Sequence, residues 1–181
     1  PLEAFLYWES HAPNKIFLSQ PIDGKIITYS FAEAGVEARK IASALKSHNL
    51  SERSHIALLS KNCAHWMLSD IAIMMAGHVS IPIYPTLNSD SIKQILVHSE
   101  SKAIIVGKLD DFQSQKSGIP EIPIISVRQY GENEGVLWED IILNEKPLEA
   151  IHISNPEDLH TIIYTSGTTG SPKGVMHSVG N

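Results

Sequence analysis

Hydrophobic and polar positions follow a helical rhythm at the start of the chain and then change to short β-prone runs. Residues 1–11 have the spacing of a helix, and the runs at 16–19 and 25–29 are typical of strands. Asp23-Gly24 separates the two runs, and glycine accepts the positive φ angle that a tight hairpin turn requires. We therefore predict that these two strands pair antiparallel.

A long amphipathic helix is predicted over residues 31–48. Ser30 and Glu33 have the spacing of a capping box, in which the hydroxyl accepts from the third helical N–H and the carboxylate accepts from the N–H of the cap. The apolar positions of this segment recur on one face, namely Ala34, Ala38, Ile41, Ala42 and Leu45. That face is expected to pack against the core.

Beyond residue 55 the pattern alternates between short apolar strands and helices. Strand candidates are 56–59, 79–84, 103–106, 122–127 and 161–165, and helix candidates are 63–77, 89–99, 109–117 and 136–144. Strand–helix–strand units of this kind form right-handed crossovers and bury parallel strands between helices. We predict an α/β fold with a largely parallel sheet and helices on both faces. The polar stretch 128–156 is interpreted as a surface connection with one short helix.

Polar residues that stand alone in apolar or turn-rich segments are interpreted as packing or surface residues rather than as members of a functional site. The helix at 63–77 is predicted to be nearly all buried, since only His65, Ser69 and Asp70 interrupt its apolar positions. Glu157 and His160 follow a proline and enter a strand, so they do not share a helical face. We interpret them as solvated surface residues rather than as metal ligands, and no metal site is predicted.

Composition and charge narrow the functional classes. The chain has 181 residues, of which 43% are hydrophobic and 19% charged, which is typical of one globular domain. Its net charge is −6 with no dense basic run, which argues against nucleic acid as a partner. The longest apolar run, Ile71–Ala76, is far shorter than the ~20 residues that span a bilayer, so no transmembrane segment is predicted. The lone cysteine, Cys63, fits a reducing compartment, and the predicted location is cytoplasmic.

The segment after the last predicted strand has the composition of an oligophosphate-binding loop. It contains five hydroxyl residues, three glycines and one cation: Thr165, Ser166, Thr168, Thr169, Ser171, Gly167, Gly170, Gly174 and Lys173. Glycines let backbone N–H groups converge on an anion, hydroxyls add donors, and an ammonium neutralises charge. A flexible surface turn is the alternative, but a turn requires neither five hydroxyls nor a lysine that follows a proline.

Two familiar nucleotide-binding patterns do not fit this segment. A Walker A loop ends in Lys followed by Ser or Thr and opens a helix, whereas here Pro172 precedes Lys173, Gly174 follows it, and 174–178 is predicted to continue as a strand. A G-x-G-x-x-G fingerprint after the first strand is also missing. P-loop kinases, GTPases and dinucleotide-binding enzymes are therefore excluded.

Three motifs carry a resemblance to a known family. Tyr164-Thr-Ser-Gly-Thr-Thr-Gly-Ser-Pro-Lys-Gly-Val-Met176 resembles the phosphate-loop signature of the adenylate-forming superfamily. Ile27-Thr-Tyr-Ser-Phe-Ala-Glu33 resembles an early element of that superfamily. Met75-Ala-Gly-His-Val-Ser-Ile-Pro-Ile-Tyr-Pro-Thr86 is similar to a stretch of long-chain fatty-acyl-CoA synthetases. The resemblance covers almost the whole chain.

The resemblance implies a reaction and a set of site residues. The full enzyme would condense a fatty acid with ATP, in the presence of magnesium, and transfer the acyl group from the adenylate to coenzyme A. The residues that match phosphate-binding positions are Thr165, Ser166, Gly167, Thr168, Thr169, Gly170 and Lys173. No catalytic residue is assigned within the chain. Where superfamily members often carry His, this chain has Val179, and whether His177 replaces that contact stays open.

The resemblance also implies how much of the enzyme the chain contains. Residues 1–181 would be the N-terminal portion of the adenylation domain, with the rest of that domain and the C-terminal lid domain outside the chain. We expect such a fragment to be inactive, and its exposed sheet edges could form dimers. In the full-length protein a location peripheral to the membrane is also open. An adenylate-forming enzyme for an aryl or amino acid, and a non-catalytic binding module, are the alternatives.

Overall fold

The computed structural model describes residues 1–166 and 172–181. Its helices are α1 (Leu2–His11), α2 (Phe31–Ser47), α3 (Ala64–Met75), α4 (Ser89–His98), α5 (Phe112–Gln115) and α6 (Trp138–Asn144). Its strands are β1 (Ile16–Ile22), β2 (Lys25–Ser30), β3 (His55–Leu59), β4 (Val79–Ile83), β5 (Ala103–Val106), β6 (Ile124–Ser126), β7 (Val136–Leu137), β8 (Leu159–Ser166) and β9 (Pro172–Ser178). None of the helices in these two ranges has the length and apolar content that a membrane crossing requires.

A seven-stranded sheet organises most of these elements. Its strand order is β7-β6-β5-β3-β4-β8-β9, and every neighbouring pair is parallel except β8 with β9. The predicted α/β fold with a largely parallel sheet is therefore confirmed. β1 and β2 form a separate antiparallel hairpin, as predicted, with Asp23 and Gly24 both at positive φ in its turn.

Each face of the sheet is covered by helices, because alternate residues of the buried strands point to opposite sides. On one side Ile56 and Leu58 of β3 pack with buried residues of α2, α3 and α6. On the other side Ala57 and Leu59 of β3 pack with buried residues of α4. This arrangement confirms the expected helices on both faces.

The predicted start of α2 and the burial of α3 are confirmed. The Ser30 hydroxyl accepts from the Glu33 N–H at 3.2 Å, and the Glu33 carboxylate accepts from the Ser30 N–H at 2.8 Å. Helix α3 is buried along most of its length, His65 and Ser69 included. Its first N–H group, that of Ala64, donates to the Gln20 side chain of the hairpin at 2.8 Å.

Several predicted elements differ in extent from the observed ones, and three differences have a local cause or change the sheet. The helix predicted at 109–117 is a single α-helical turn, since the Asp111 side chain accepts from the Ser114 N–H and fixes the start at Phe112. The strand predicted at 122–127 is only Ile124–Ser126, because Pro123 has no N–H to donate to a ladder. The polar stretch 128–156 contains the expected helix, but Val136–Leu137 ahead of it also joins the sheet as its edge strand.

Candidate phosphate-binding site

The predicted phosphate loop lies between β8 and β9 at one end of the sheet. β8 runs parallel to β4, with Ser80 opposite Thr161, so both strands have their carboxyl ends at the same edge. In open α/β sheets ligands bind outside this carboxyl edge. β9 then returns antiparallel to β8, which makes the two strands the arms of a hairpin with the loop at its tip.

The structure brings the two described ends of the predicted site together. Thr165 is the cross-strand partner of Lys173, and Ser166 is the partner of Pro172. Directly opposed residues of an antiparallel pair have Cα atoms about 5 Å apart. Thr165 and Lys173 are exposed, so a hydroxyl and an ammonium stand side by side at the base of the loop. We call this pair the loop base.

Four predicted site residues lie outside the described part of the chain, namely Gly167, Thr168, Thr169 and Gly170. Thr165 and Lys173, which form the loop base, are the first and last of the seven predicted phosphate-binding residues. The loop base supplies a hydrogen-bond donor and a positive charge but no carboxylate. These groups fit the oxygens of an oligophosphate. Among the described residues no three His, Cys, Asp or Glu side chains are grouped as a metal ion would need.

One residue of the motif has a packing role in the described structure. Gly174 lies opposite Tyr164, and a Cβ atom added to Gly174 would come within 2.7 Å of Ile162 Cγ2 and 3.3 Å of the Tyr164 ring. Ile162 and Tyr164 thus crowd the Gly174 backbone from β8. A Cβ atom at this position would force Ile162 or the strand to shift, so glycine suits the close approach of the two strands.

Tyr164 also connects the hairpin to helix α4. Its side chain is 4% exposed, and its hydroxyl lies 2.7 Å from Nδ1 of His98 in the last turn of α4. The two rings meet edge to face, with centroids 5.6 Å apart. Burial raises the pKa of the Tyr164 hydroxyl, so it remains protonated and able to donate. Sequence patterns alone did not single out His98.

A cavity of about 300 Å³ lies beside β8. Its wall is largely apolar, and its polar lining includes His160 of β8 and Asp70 of α3, whose Nε2 and Oδ2 atoms are 3.5 Å apart. The prediction that His160 is a solvated surface residue is therefore wrong, since its side chain is only 12% exposed. The error arose because its strand position faces a neighbouring helix, which periodicity within β8 does not reveal.

Comparison with known proteins places the chain in a family. A family model described as "AMP-binding enzyme" matches residues 6–181. The chain belongs to the AMP-binding enzyme family. The resemblance to adenylate-forming acyl-CoA ligases is confirmed.

Relatives of this AMP-binding enzyme include two curated synthetases. Fatty acyl-CoA synthetase A of Dictyostelium discoideum is 33% identical over 170 residues, which cover 85% of this chain and 26% of that protein. The peroxisomal long chain acyl-CoA synthetase 7 of Arabidopsis thaliana is 32% identical over 192 residues, covering 96% of this chain and 27% of that protein. The chain thus spans about a quarter of the length of these relatives.

A solved structure shares the fold of this chain. The anthranilate CoA ligase AuaEII, in complex with anthranoyl-AMP, superposes with a TM-score of 0.80 at 25% identity. The match covers 98% of this chain and 35% of that protein. All the described elements therefore belong to one architecture that is also found in a CoA ligase.

Within the described part of β9, His177 lies far from the loop base. His177 lies opposite Thr161 on β9, four residues from Lys173. At about 3.3 Å per residue the two Cα atoms are roughly 13 Å apart. His177 therefore stands at the opposite end of β9 from the loop base, and Val179 lies beyond the end of the strand.

Proposed function

We propose that this chain is the N-terminal portion of the adenylation domain of an ATP-dependent long-chain fatty-acid CoA ligase. The complete enzyme would join a fatty-acid carboxylate to the α-phosphate of ATP, releasing pyrophosphate, and then transfer the acyl group to the thiol of coenzyme A with release of AMP. Family membership supports the ligase class. The names of the two curated relatives support a long-chain acid as the substrate.

The observation that carries the proposal is the loop base at the carboxyl edge of the sheet. Thr165 and Lys173 are opposed across β8 and β9, exposed, and adjacent to the glycine- and hydroxyl-rich segment. In this proposal the ATP-binding residues are Thr165, Ser166, Gly167, Thr168, Thr169, Gly170 and Lys173, and they hold the β- and γ-phosphates that leave as pyrophosphate. Positioning and charge stabilisation of this leaving group would be their contribution to the reaction.

Magnesium and coenzyme A enter the proposal with different roles. The described loop base offers no carboxylate, so Mg²⁺ would be carried by the triphosphate and by residues outside the described part of the chain. Coenzyme A would supply the acceptor thiol. Neither is assigned a contact among the described residues.

Replacement of Lys173 tests the assignment. In the complete enzyme, we expect Lys173→Ala to lower kcat/KM for ATP by about 10- to 150-fold, which corresponds to the ~1.5–3 kcal/mol of a charge-assisted hydrogen bond. Lys25→Ala, an exposed lysine at the start of β2 on the separate hairpin, is the matched control and should leave kcat/KM unchanged. Equal kcat/KM values for Lys173→Ala and the unaltered enzyme would remove Lys173 from the site.

The 181-residue chain itself provides a second test. We expect it to show no fatty-acid-dependent exchange of pyrophosphate into ATP, because the proposed domain extends beyond residues 1–181. Exchange that depends on palmitate would overturn the proposal that these residues are only a portion of the adenylation domain. The complete enzyme, measured under the same conditions, is the positive control.

An aryl acid is the second candidate substrate, because the chain shares its fold with an anthranilate CoA ligase. Acyl-CoA formation by the complete enzyme with palmitate, anthranilate and a set of amino acids separates the two. A preference for palmitate supports the first proposal, whereas a preference for anthranilate or an amino acid supports another adenylate-forming specificity. A complete protein that binds ATP but converts none of these acids would be a binding module.

A further inference from the structure

We propose that His98 is a positioning residue for the loop base, Thr165 and Lys173, and acts through Tyr164. This inference rests on the proposed function for its catalytic consequence, but its structural part concerns only the described residues. His98 lies on α4, whereas the proposed phosphate-binding residues lie more than 60 residues later in the chain. The two are joined by the contact between His98 Nδ1 and the Tyr164 hydroxyl at 2.7 Å.

Tyr164 occupies the position in β8 immediately before the loop base. Its side chain is buried, whereas that of the next residue, Thr165, is exposed. A side chain fixed at this point limits the rotation of the strand that carries Thr165. The orientation of the Thr165 hydroxyl therefore depends on how firmly Tyr164 is held.

The Tyr164 ring also constrains the opposite arm of the hairpin. Its Cζ atom would lie 3.3 Å from a Cβ atom on Gly174, so the ring borders the Gly174 backbone. Lys173 precedes Gly174 and is the partner of Thr165. Tyr164 thus precedes the loop base on β8, its ring borders the residue that follows the loop base on β9, and His98 is the hydrogen-bond partner of its hydroxyl.

The hydrogen bond between Tyr164 and His98 is suited to holding the Tyr164 ring in place rather than to transferring a proton. Tyr164 is 4% exposed and the pKa of its hydroxyl is raised by burial, so it exchanges no proton near neutral pH. His98 is largely exposed at the end of α4, a helix whose Ile92, Ile95 and Leu96 pack in the core. The contact therefore joins the loop base to a helix anchored in the body of the protein, which favours a preorganised loop base.

A double-mutant cycle in the complete enzyme separates this role from a general structural one. We expect His98→Ala and Tyr164→Phe each to lower kcat/KM for ATP by about 3- to 10-fold, mainly through KM, the effect of losing one neutral hydrogen bond. The double variant should be no worse than either single one, and His98→Asn, whose amide can occupy the place of Nδ1, should restore most of the loss. His11→Ala, at the end of α1, is the matched control.

Losses that multiply in the double variant would overturn the proposal, because His98 would then act independently of Tyr164. So would an unchanged KM for ATP in His98→Ala when Lys173→Ala shows its expected loss. If Lys173→Ala also has no effect, the proposed function fails rather than the link between His98 and the hairpin.

Amide hydrogen exchange on the 181-residue chain tests that link without any nucleotide. His98→Ala and Tyr164→Phe should both speed exchange in β8 and β9 next to the loop base, and leave exchange at Ile104 and Ile105 of the central strand β5 unchanged. Unchanged exchange in β8 and β9 of both variants would overturn the proposed mechanical role. Equal acceleration in all strands would do the same, because it would indicate global destabilisation.

Discussion

At the scale of single residues, a largely buried cluster of polar side chains lies between α2, α3 and α6. Glu37 Oε1 accepts from the indole N–H of Trp138 at 2.7 Å and lies 3.8 Å from His65 Nε2. His65 Nδ1 lies 2.9 Å from the Tyr130 hydroxyl. Burial raises the pKa of Glu37 and lowers that of His65 to about 4. His65 is therefore a neutral core histidine, which agrees with the structural interpretation made from sequence.

The indole–carboxylate contact gives a prediction at this scale. Trp138→Phe keeps an aromatic ring in the core but removes the N–H that Glu37 accepts from, and we expect unfolding free energy to fall by about 1–3 kcal/mol, the cost of a buried acceptor without a donor. Chemical denaturation at neutral pH measures it. Trp8→Phe is the control, because Trp8 is 47% exposed. A Trp138→Phe variant as stable as Trp8→Phe would show that the contact contributes nothing.

At the scale of elements, the hairpin of β8 and β9 carries the loop base and also forms one edge of the sheet. β9 is one of the two edge strands of the sheet, and residues 173–176 of it are exposed. In the described part of the chain its outer side pairs with no strand. An unpaired edge of this kind is prone to association, so the dimer expected from sequence stays a prediction for sedimentation analysis.

Gly174→Ala tests how closely the two strands must approach. The new Cβ atom would lie 2.7 Å from Ile162 Cγ2, so Ile162 or the strand must shift, at a cost of about 1–3 kcal/mol typical of overpacking. We expect a lower thermal unfolding midpoint and faster amide exchange in β9. Val175→Ala, the next residue of the strand and exposed, is the control. Unaltered exchange in β9 of Gly174→Ala would show that the hairpin accommodates a methyl group without strain.

At the scale of the whole molecule, local patterns predicted the fold well where periodicity is strong. The capping box at Ser30 and the apolar runs of β3 and β5 each reflect a local rule, and the structure follows them. Contacts between residues far apart in the sequence produce no local pattern, so they were not predicted. His98 meets Tyr164 across 66 residues of the sequence, and His160 of β8 lies 3.5 Å from Asp70 of α3. The sequence motif includes Thr165 and Lys173, but it does not show that they are cross-strand partners. That follows only from the register of β9 against β8 in the structure.

Stability of the whole molecule should depend on pH through histidines buried in the neutral form. His78, which precedes β4, is 5% exposed, and among the described residues neither of its ring nitrogens has a hydrogen-bond partner. Burial, with smaller contributions from Lys46 and His152, lowers its pKa to about 4, against about 6.5 in the unfolded chain. Between these two values the unfolded chain binds a proton that the folded one does not, so His78 makes stability fall as pH decreases from about 6.5 to about 4.

Replacing His78 isolates this effect from other titrating groups. The raised pKa of Glu37 acts in the opposite direction, since its contribution to stability is lost as pH rises, but it is common to both proteins and cancels in their difference. We compare the unfolding free energy of His78→Leu with that of the unaltered chain at two pH values. We expect the difference, variant minus unaltered chain, to be about 2 kcal/mol more favourable to the variant at pH 4.5 than at pH 7. Urea denaturation at both pH values measures this, with the exposed His11→Leu as control. If the stability difference between His78→Leu and the unaltered chain is the same at both pH values, His78 is not buried as a neutral imidazole.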